Sequence, residues 1–396
     1  MSLLAPIYEQ TYNLMKPYLS HIHEAKHERI VLLVLGIIKA KNASPARIAQ
    51  AIKELGLREG KASSIERCIR RIENDPDMNA IVFFHPFAQE RLLIGRPKEL
   101  VLIIDPTTQD DRVVMVTVSV WYRGRSLPLA WTIWPANTPL VGDRFWTRVE
   151  GLLDLIREIL PKHVPVTWVA DRAFGTPSFT DLIIARHWHY VVRTQAHTRC
   201  CDKCRVERQI QHLIQLRGQR AKMRGLAFKK HRWRTVSIVV YWGTKYKESL
   251  CLVSDLRLGW YLIRLYRNRY AIEAAFRDYK SHGWQWEQGQ VVNFEHINRL
   301  LTCMALATWI TICIGTQVAT ELLAQPPTGR RRTVPWEGKR SLFTLGLQRF
   351  HELLSDPLKI NTLCWQLTDW DAPNWHSQIY FYHARAFVFA MHNGSR

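Results

Sequence analysis

Two continuous apolar runs, Leu100-Val101-Leu102-Ile103-Ile104 and Val164 to Ala170, each end in an aspartate, Asp105 and Asp171. A run without polar alternation is the pattern of a strand buried on both faces, which only a sheet covered by helices on each side can house. The chain around them alternates in kind. Arg112 to Trp121 and Ser126 to Trp134 read as strands that turn at Arg123-Gly124. Phe145 to Leu160 reads as an amphipathic helix, Ser178 to His187 as a second helix, and His189 to Arg193 as a strand. Three antiparallel strands, then helix, strand, helix, strand, predict a mixed α/β layer.

The flanks differ. Residues 1–95 read as helical, with an apolar segment from His27 to Ala40. Ser44 with Pro45 predicts an N-cap and first helical residue, and Ser63 with Glu66 a capping box for a helix that Pro76 stops. Helix, turn, Arg-bearing helix is the pattern of a helix-turn-helix DNA reader. After the α/β segment, Arg217, Arg220, Lys222, Arg224, Lys229, Lys230, Arg232 and Arg234 crowd a stretch that also holds Trp233 and Trp242. Interleaved cations and aromatics suit a nucleic-acid surface. Long helices are expected from Leu258 to His282 and from Phe294 to Leu323, and a shorter one near Leu342 to Leu354.

Charge narrows the partners. Lys and Arg outnumber Asp and Glu by 55 to 34, a net charge of +21. A folded chain so basic repels itself unless it meets a polyanion, so nucleic acid or an anionic membrane is expected. No secretory signal is apparent in Met1 to Pro6. The uncharged stretch Leu300 to Val318 is long enough to span a bilayer, but its threonines and lack of a companion segment favour a buried core helix. Eight scattered cysteines fit a reducing, cytoplasmic setting. Cys201-x-x-Cys204, near His197 and Cys200, has metal-ligand spacing without a second pair, and reads as a turn without zinc.

A lone aspartate at a strand end is usually a turn former. Two in one α/β unit suggest a site, because strand ends in such sheets gather into clefts. A third acid comes from the segment Tyr266 to Lys280. At about 100° per residue, Arg269, Glu273 and Lys280 fall within about 60° of Tyr266, beside an apolar stripe of Leu265, Ile272, Phe276 and Tyr279. On spacing alone, a carboxylate flanked by cations fits equally an i,i+4 surface pair and a phosphate-handling site.

Tyr266-x2-Arg269-x3-Glu273-x6-Lys280 reproduces the Y-(2)-R-(3)-E-(6)-K signature, so the chain resembles the DDE transposases of the insertion-sequence-4 family. Asp171-Arg172-Ala173-Phe174 and the strand-borne Asp105 are similar to that family's first two acids. The resemblance implies a ribonuclease-H-like mixed sheet with helices on both faces, interrupted by a β-rich insertion and preceded by an all-helical DNA-binding domain. It implies cut-and-paste transposition, with Asp105, Asp171 and Glu273 as catalytic ligands of two Mg²⁺ ions, for which Mn²⁺ can substitute. Tyr266, Arg269 and Lys280 would contact DNA.

The domains then expected are 1–95, helical and DNA-binding; 96–196 and 256–325, the two parts of the core; 197–255, the basic insertion; and 326–396, a tail for dimerisation or DNA contact. Expected partners are double-stranded DNA, as terminal inverted repeats and target, and a second copy in a synaptic homodimer, with no membrane. The expected location is the bacterial nucleoid. The competing readings are a nuclease of the same fold without strand transfer and a non-catalytic DNA-binding relative.

Overall fold

Helices α1 (Ala5–Leu19), α2 (Glu24–Ala40), α3 (Pro45–Glu54), α4 (Ala62–Glu73) and α5 (Ala80–Gly95) precede the first strand in the computed structural model. It describes residues 5–140, 142–231, 233–324, 339–356, 365–367 and 370–372. Pro45 sits in the first turn of α3, as its fixed φ allows. The capping box is corrected. Helix α4 starts earlier than Ser63, at Ala62 with extended Lys61 as N-cap, so Ser63 is already helical and Glu66 instead accepts from Arg70 at 2.8 Å.

Strands β1 (Leu100–Gln109), β2 (Val113–Tyr122) and β3 (Arg125–Pro135) form an antiparallel meander. Helix α6 (Asp143–Ile159) leads to β4 (Val166–Ala170), and α7 (Pro177–Ala185) to β5 (His189–Arg193). Strand β4 lies parallel to β1 and β5 parallel to β4. The resulting order β3-β2-β1-β4-β5 with helical crossovers is the ribonuclease-H-like mixed sheet.

The basic segment adds β6 (Arg199–Cys201), β7 (Glu207–Gln209), β8 (Arg220–Ala227), β9 (Arg234–Tyr241) and β10 (Leu250–Ser254). These do not form a separate sheet. Strand β10 pairs antiparallel with β5, so the sheet runs on through β10-β9-β8-β6-β7 to ten strands.

Successive side chains on a strand point to opposite faces. Leu100, Leu102, Ile104, Trp168 and Ala170 face a large core that also holds α6, α7 and the N-terminal helices. Val101, Ile103, Val169, Val191, Val239 and Leu252 face a smaller one. It is covered by α8 (Tyr261–Arg267) and α9 (Tyr270–Arg277) through Leu262, Tyr266, Ala271 and Ile272.

The single helix expected from Leu258 to His282 is therefore broken. Arg269 N donates to Tyr266 O and Ala271 N to Asn268 O, three-residue bonds that tighten the chain between α8 and α9. A π-helical turn, Asp278–His282, follows α9. A helical wheel at constant pitch cannot carry Lys280 through both changes.

Helix α10 (Phe294–Ala324) contains the uncharged stretch and is long and apolar enough to cross a membrane, but most of that stretch is buried inside the described fold. It crosses α11 (Leu342–Ser355) with backbones nearly touching: a Cβ on Gly315 would lie 1.8 Å from Leu342 O, and one on Gly346 1.8 Å from Thr311 O. The N-terminal helices share this core. Ala43 N donates to Trp284 O at 2.6 Å, and Arg299 reaches the carbonyl of Glu73. The loop from Pro326 to Arg332 lies outside the described residues.

Candidate active site

Ile104 on β1 pairs with Ala170 on β4, so the next residue on each, Asp105 and Asp171, stands at the same level, where β4 ends while β1 runs on to Gln109 beside β2. By strand alternation both point to the side of the smaller core, where α8 and α9 pack. Tyr266, buried in α8, donates its hydroxyl to Asp171 Oδ1 at 3.4 Å. Arg269, buried at the tight turn, donates Nη1 to Asp105 Oδ2 at 2.9 Å and Nη2 to Glu273 Oε1. Five of the six residues singled out by the sequence thus meet in one place. Glu273 is the outermost, its side chain half exposed to solvent.

The electrostatics follow from this crowding. Burial pushes the Asp105 carboxyl up to about 7. The Arg269 guanidinium pulls it back, while Asp171 and Glu273 add to the upward push. Burial opposes the charge on Arg269, but Tyr266, Asp105 and Glu273 outweigh it and hold the guanidinium above its ordinary range. Burial also raises the Tyr266 phenol, which therefore acts as a donor at neutral pH. Positive charge is what these carboxylates require, and Arg269 supplies it between two of them.

The sixth residue is placed differently. Lys280 lies in the π-turn and its ammonium pairs with Glu287 at 3.4 Å. Arg193, missed in the sequence, takes a position beside the acids. At the end of β5, its Nη1 is 3.9 Å from Asp171 Oδ1 and its Nη2 2.8 Å from Glu248. The available signal was its place at the end of a strand neighbouring β4. A cavity of about 230 Å³ opens beside it, lined by Tyr241, Tyr246, Lys247, Arg267 and Tyr270 among others.

Among the described residues no three His, Cys, Asp or Glu side chains stand together at metal-binding spacing. The three acids are hard oxygen donors suited to divalent cations, but the guanidinium of Arg269 is interposed between Asp105 and Glu273. At the Cys cluster, Cys200 and Cys201 are buried neighbours on β6 while Cys204 is exposed.

In the basic segment, Arg220 and Lys222 alternate on β8 and lie over the Trp260 ring at 4.7 and 5.3 Å. Arg217 lies over Trp242 at 5.8 Å. Arg234 and Lys229 are instead taken up by Asp181 and Glu207, and Arg232 lies outside the described residues.

Residues 147–310 match the family model described as "Transposase DDE domain". The match supports a DDE transposase. It contains Asp171, Tyr266, Arg269, Glu273 and Lys280 and leaves Asp105 outside. No curated protein matches the chain. Among solved structures, it is similar to the cryo-EM structure of the piggyBac transposase synaptic complex with hairpin DNA. The TM-score is 0.46 at 9% identity, covering 94% of this chain and 80% of that one.

Proposed function

We propose that the chain is a cut-and-paste DNA transposase of the insertion-sequence-4 type, which binds transposon ends, cleaves them and joins the 3′-hydroxyl ends to target DNA. The observation that carries this reading is the convergence of Asp105, Asp171, Tyr266, Arg269 and Glu273 at the level where β4 ends. The match to the DDE domain covers four of the five.

Asp105, Asp171 and Glu273 would hold two divalent ions, Mg²⁺ in the cell. Such ions, when bound, supply an activated water and stabilise the leaving oxygen. The protein's own groups do the rest. Arg269, held beside the acids by its bonds to Asp105 and Glu273, presents a planar fork that fits a phosphate, and it would exchange those carboxylates for the DNA backbone as the strand enters. Tyr266 orients Asp171 through its hydroxyl. Lys280 would reach the flanking backbone by leaving Glu287, a partly exposed partner that binds it weakly. The exposed side of α4, with Arg67 and Arg71, would read the terminal repeats.

The test is to incubate the protein with pre-cut duplex carrying the repeats that flank its reading frame, supercoiled plasmid and Mg²⁺. Joined products are expected. Cleavage of an uncut repeat duplex run in parallel, without joining of the pre-cut one, would identify a nuclease, and binding without either a non-catalytic relative.

A further inference from the structure

On the other face of the sheet, at the same end of β4, is a second cationic pocket. Helix α7 leaves β4 through Gly175-Thr176-Pro177, and the segment after β5 and the turn Lys229–His231 close over its start. The half-open cavity is about 190 Å³, lined by His197, Arg199, Lys229, Lys230 and His231 and, among the described residues, by no carboxylate. Lys229 is held by Glu207 at 2.6 Å. Arg199 and Lys230, both exposed, take part in no ion pair among the described residues.

Two further features give the pocket a built floor. Thr176 Oγ1 is buried without a hydrogen-bond partner, and it does not cap α7 although Thr176 is the N-cap residue. Gly175 is locked against β5: a Cβ there would lie 1.9 Å from Arg193 O, and its carbonyl accepts from Thr194 Oγ1 at 3.1 Å. A donor hydroxyl left unpaired beside two cations outside any ion pair suits an oxyanion with several oxygens, although the α7 amides of Phe179 and Thr180 are already bonded to Thr176 O and add nothing. The pocket is also tied to the second acid, because Phe174 N donates to Asp171 O at 2.9 Å in the turn between them.

We propose that this pocket grips a backbone phosphate of the DNA being cut, so that Asp171 and the phosphate grip move as one piece and set the strand's register at the acids. The proposal rests on the transposase reading above. It adds Thr176, Arg199 and Lys230 as DNA-positioning residues on the face away from α8 and α9.

The full-length protein would be titrated with a labelled duplex over about 50 to 200 mM NaCl. Arg199→Ala with Lys230→Ala should weaken binding about tenfold and lower the salt slope by about one, the value of one neutralised phosphate. Thr176→Val, which changes no charge, should weaken binding several-fold, and Thr176→Ser should restore it. Lys98→Ala with Lys162→Ala removes the same charge from the other end of β1 and β4 and should leave the slope unchanged. The proposal is overturned if the Arg199/Lys230 variant behaves like the Lys98/Lys162 control, or if Thr176→Val binds like wild type. Failure of the wild-type protein itself to bind duplex would instead overturn the transposase reading and this one with it.

Discussion

Asp105, within β1, and Asp171, just past the end of β4, stand at the same level, one step beyond the Ile104–Ala170 pair, and on the same side of the sheet. Burial raises the Asp105 carboxyl first, and the charge of Asp171 beside it adds to that push. Burial and backbone register together therefore create a demand for cations.

The first prediction tests that demand. Asp105→Asn, Asp171→Asn and Glu273→Gln keep shape and remove charge. Each should reduce end cleavage at least about a thousandfold in Mg²⁺ while DNA binding in Ca²⁺ persists. Asp111→Ala is the control, since Asp111 is an exposed loop acid. Asp110 is less suitable, because it has φ +46° and pairs with Arg112 at 3.0 Å. Wild-type cleavage by Glu273→Gln would reduce that residue to a partner of Arg269.

Arg269 and Lys280 should separate in a stability measurement. Arg269→Ala leaves Asp105 buried without its guanidinium, and should cost about 3 kcal/mol in denaturant unfolding as well as activity. Lys280→Ala breaks a partly exposed pair and should cost under about 1 kcal/mol, with its effect confined to DNA binding or cleavage. Equal losses of stability would contradict this division.

What the sequence revealed depended on the range of the interactions. Strands β1 and β4 were legible because double burial leaves largely apolar runs; Asp171 follows the end of β4, but Asp105 ends only the apolar run, since β1 continues as a β2 partner to Gln109. The face of Lys280 was not legible, since its position depends on a tight turn at Asn268–Arg269 and a π-turn at Asp278 that share the αR backbone of an ordinary helix. The capping box failed for a local reason: Ser63 and Glu66 had the right spacing, but Lys61 adopted the extended cap geometry first. The joining of β10 to β5 is a pairing between distant segments, and apolar periodicity carries no information on which strand a neighbour will be. In β8 the signal was present but polar, with Arg220, Lys222 and Arg224 alternating on one face.

The crossing of α10 and α11 should tolerate no side chain. Gly315→Ala and Gly346→Ala must each displace backbone rather than a flexible tip, and each should destabilise by about 2 to 3 kcal/mol. Because both act on one contact, the double variant should lose less than the two effects added. Thermal unfolding of the three variants measures this.

His85 should give the protein an acid limit. Burial lowers its imidazole to about 4, and Nδ1 has no partner. Below its ordinary value of 6.5 the unfolded chain takes up a proton that the folded chain refuses, so stability falls as pH drops from 6.5 to about 4 and then levels. The loss is at most roughly 3 kcal/mol. In His85→Gln the unfolding free energy should fall less steeply over that window; an unchanged slope would assign the acid sensitivity to other groups.

Recognition of ends should reside in α4. Arg67→Ala with Arg71→Ala, in the full chain because the N-terminal helices share their core with α10, should erase preference for the flanking repeats over scrambled duplex. Residual, salt-sensitive binding should remain. Retained preference in a competition assay would move recognition elsewhere.

The unbroken pairing from β1 through β4, β5, β10 and β9 to β8 makes the sheet a ruler. Five strand spacings of about 4.8 Å separate the first acid from the Arg220–Lys222 stripe, roughly 24 Å. Along duplex DNA, that distance is about seven base pairs at 3.4 Å each. The hydrogen-bonded ladder leaves no hinge between them, so a strand held at β8 would meet the acids at a fixed offset. Cleavage position would then be set by a count of β-strands, and a chain with one strand added or removed between β5 and β8 would cut one to two nucleotides away.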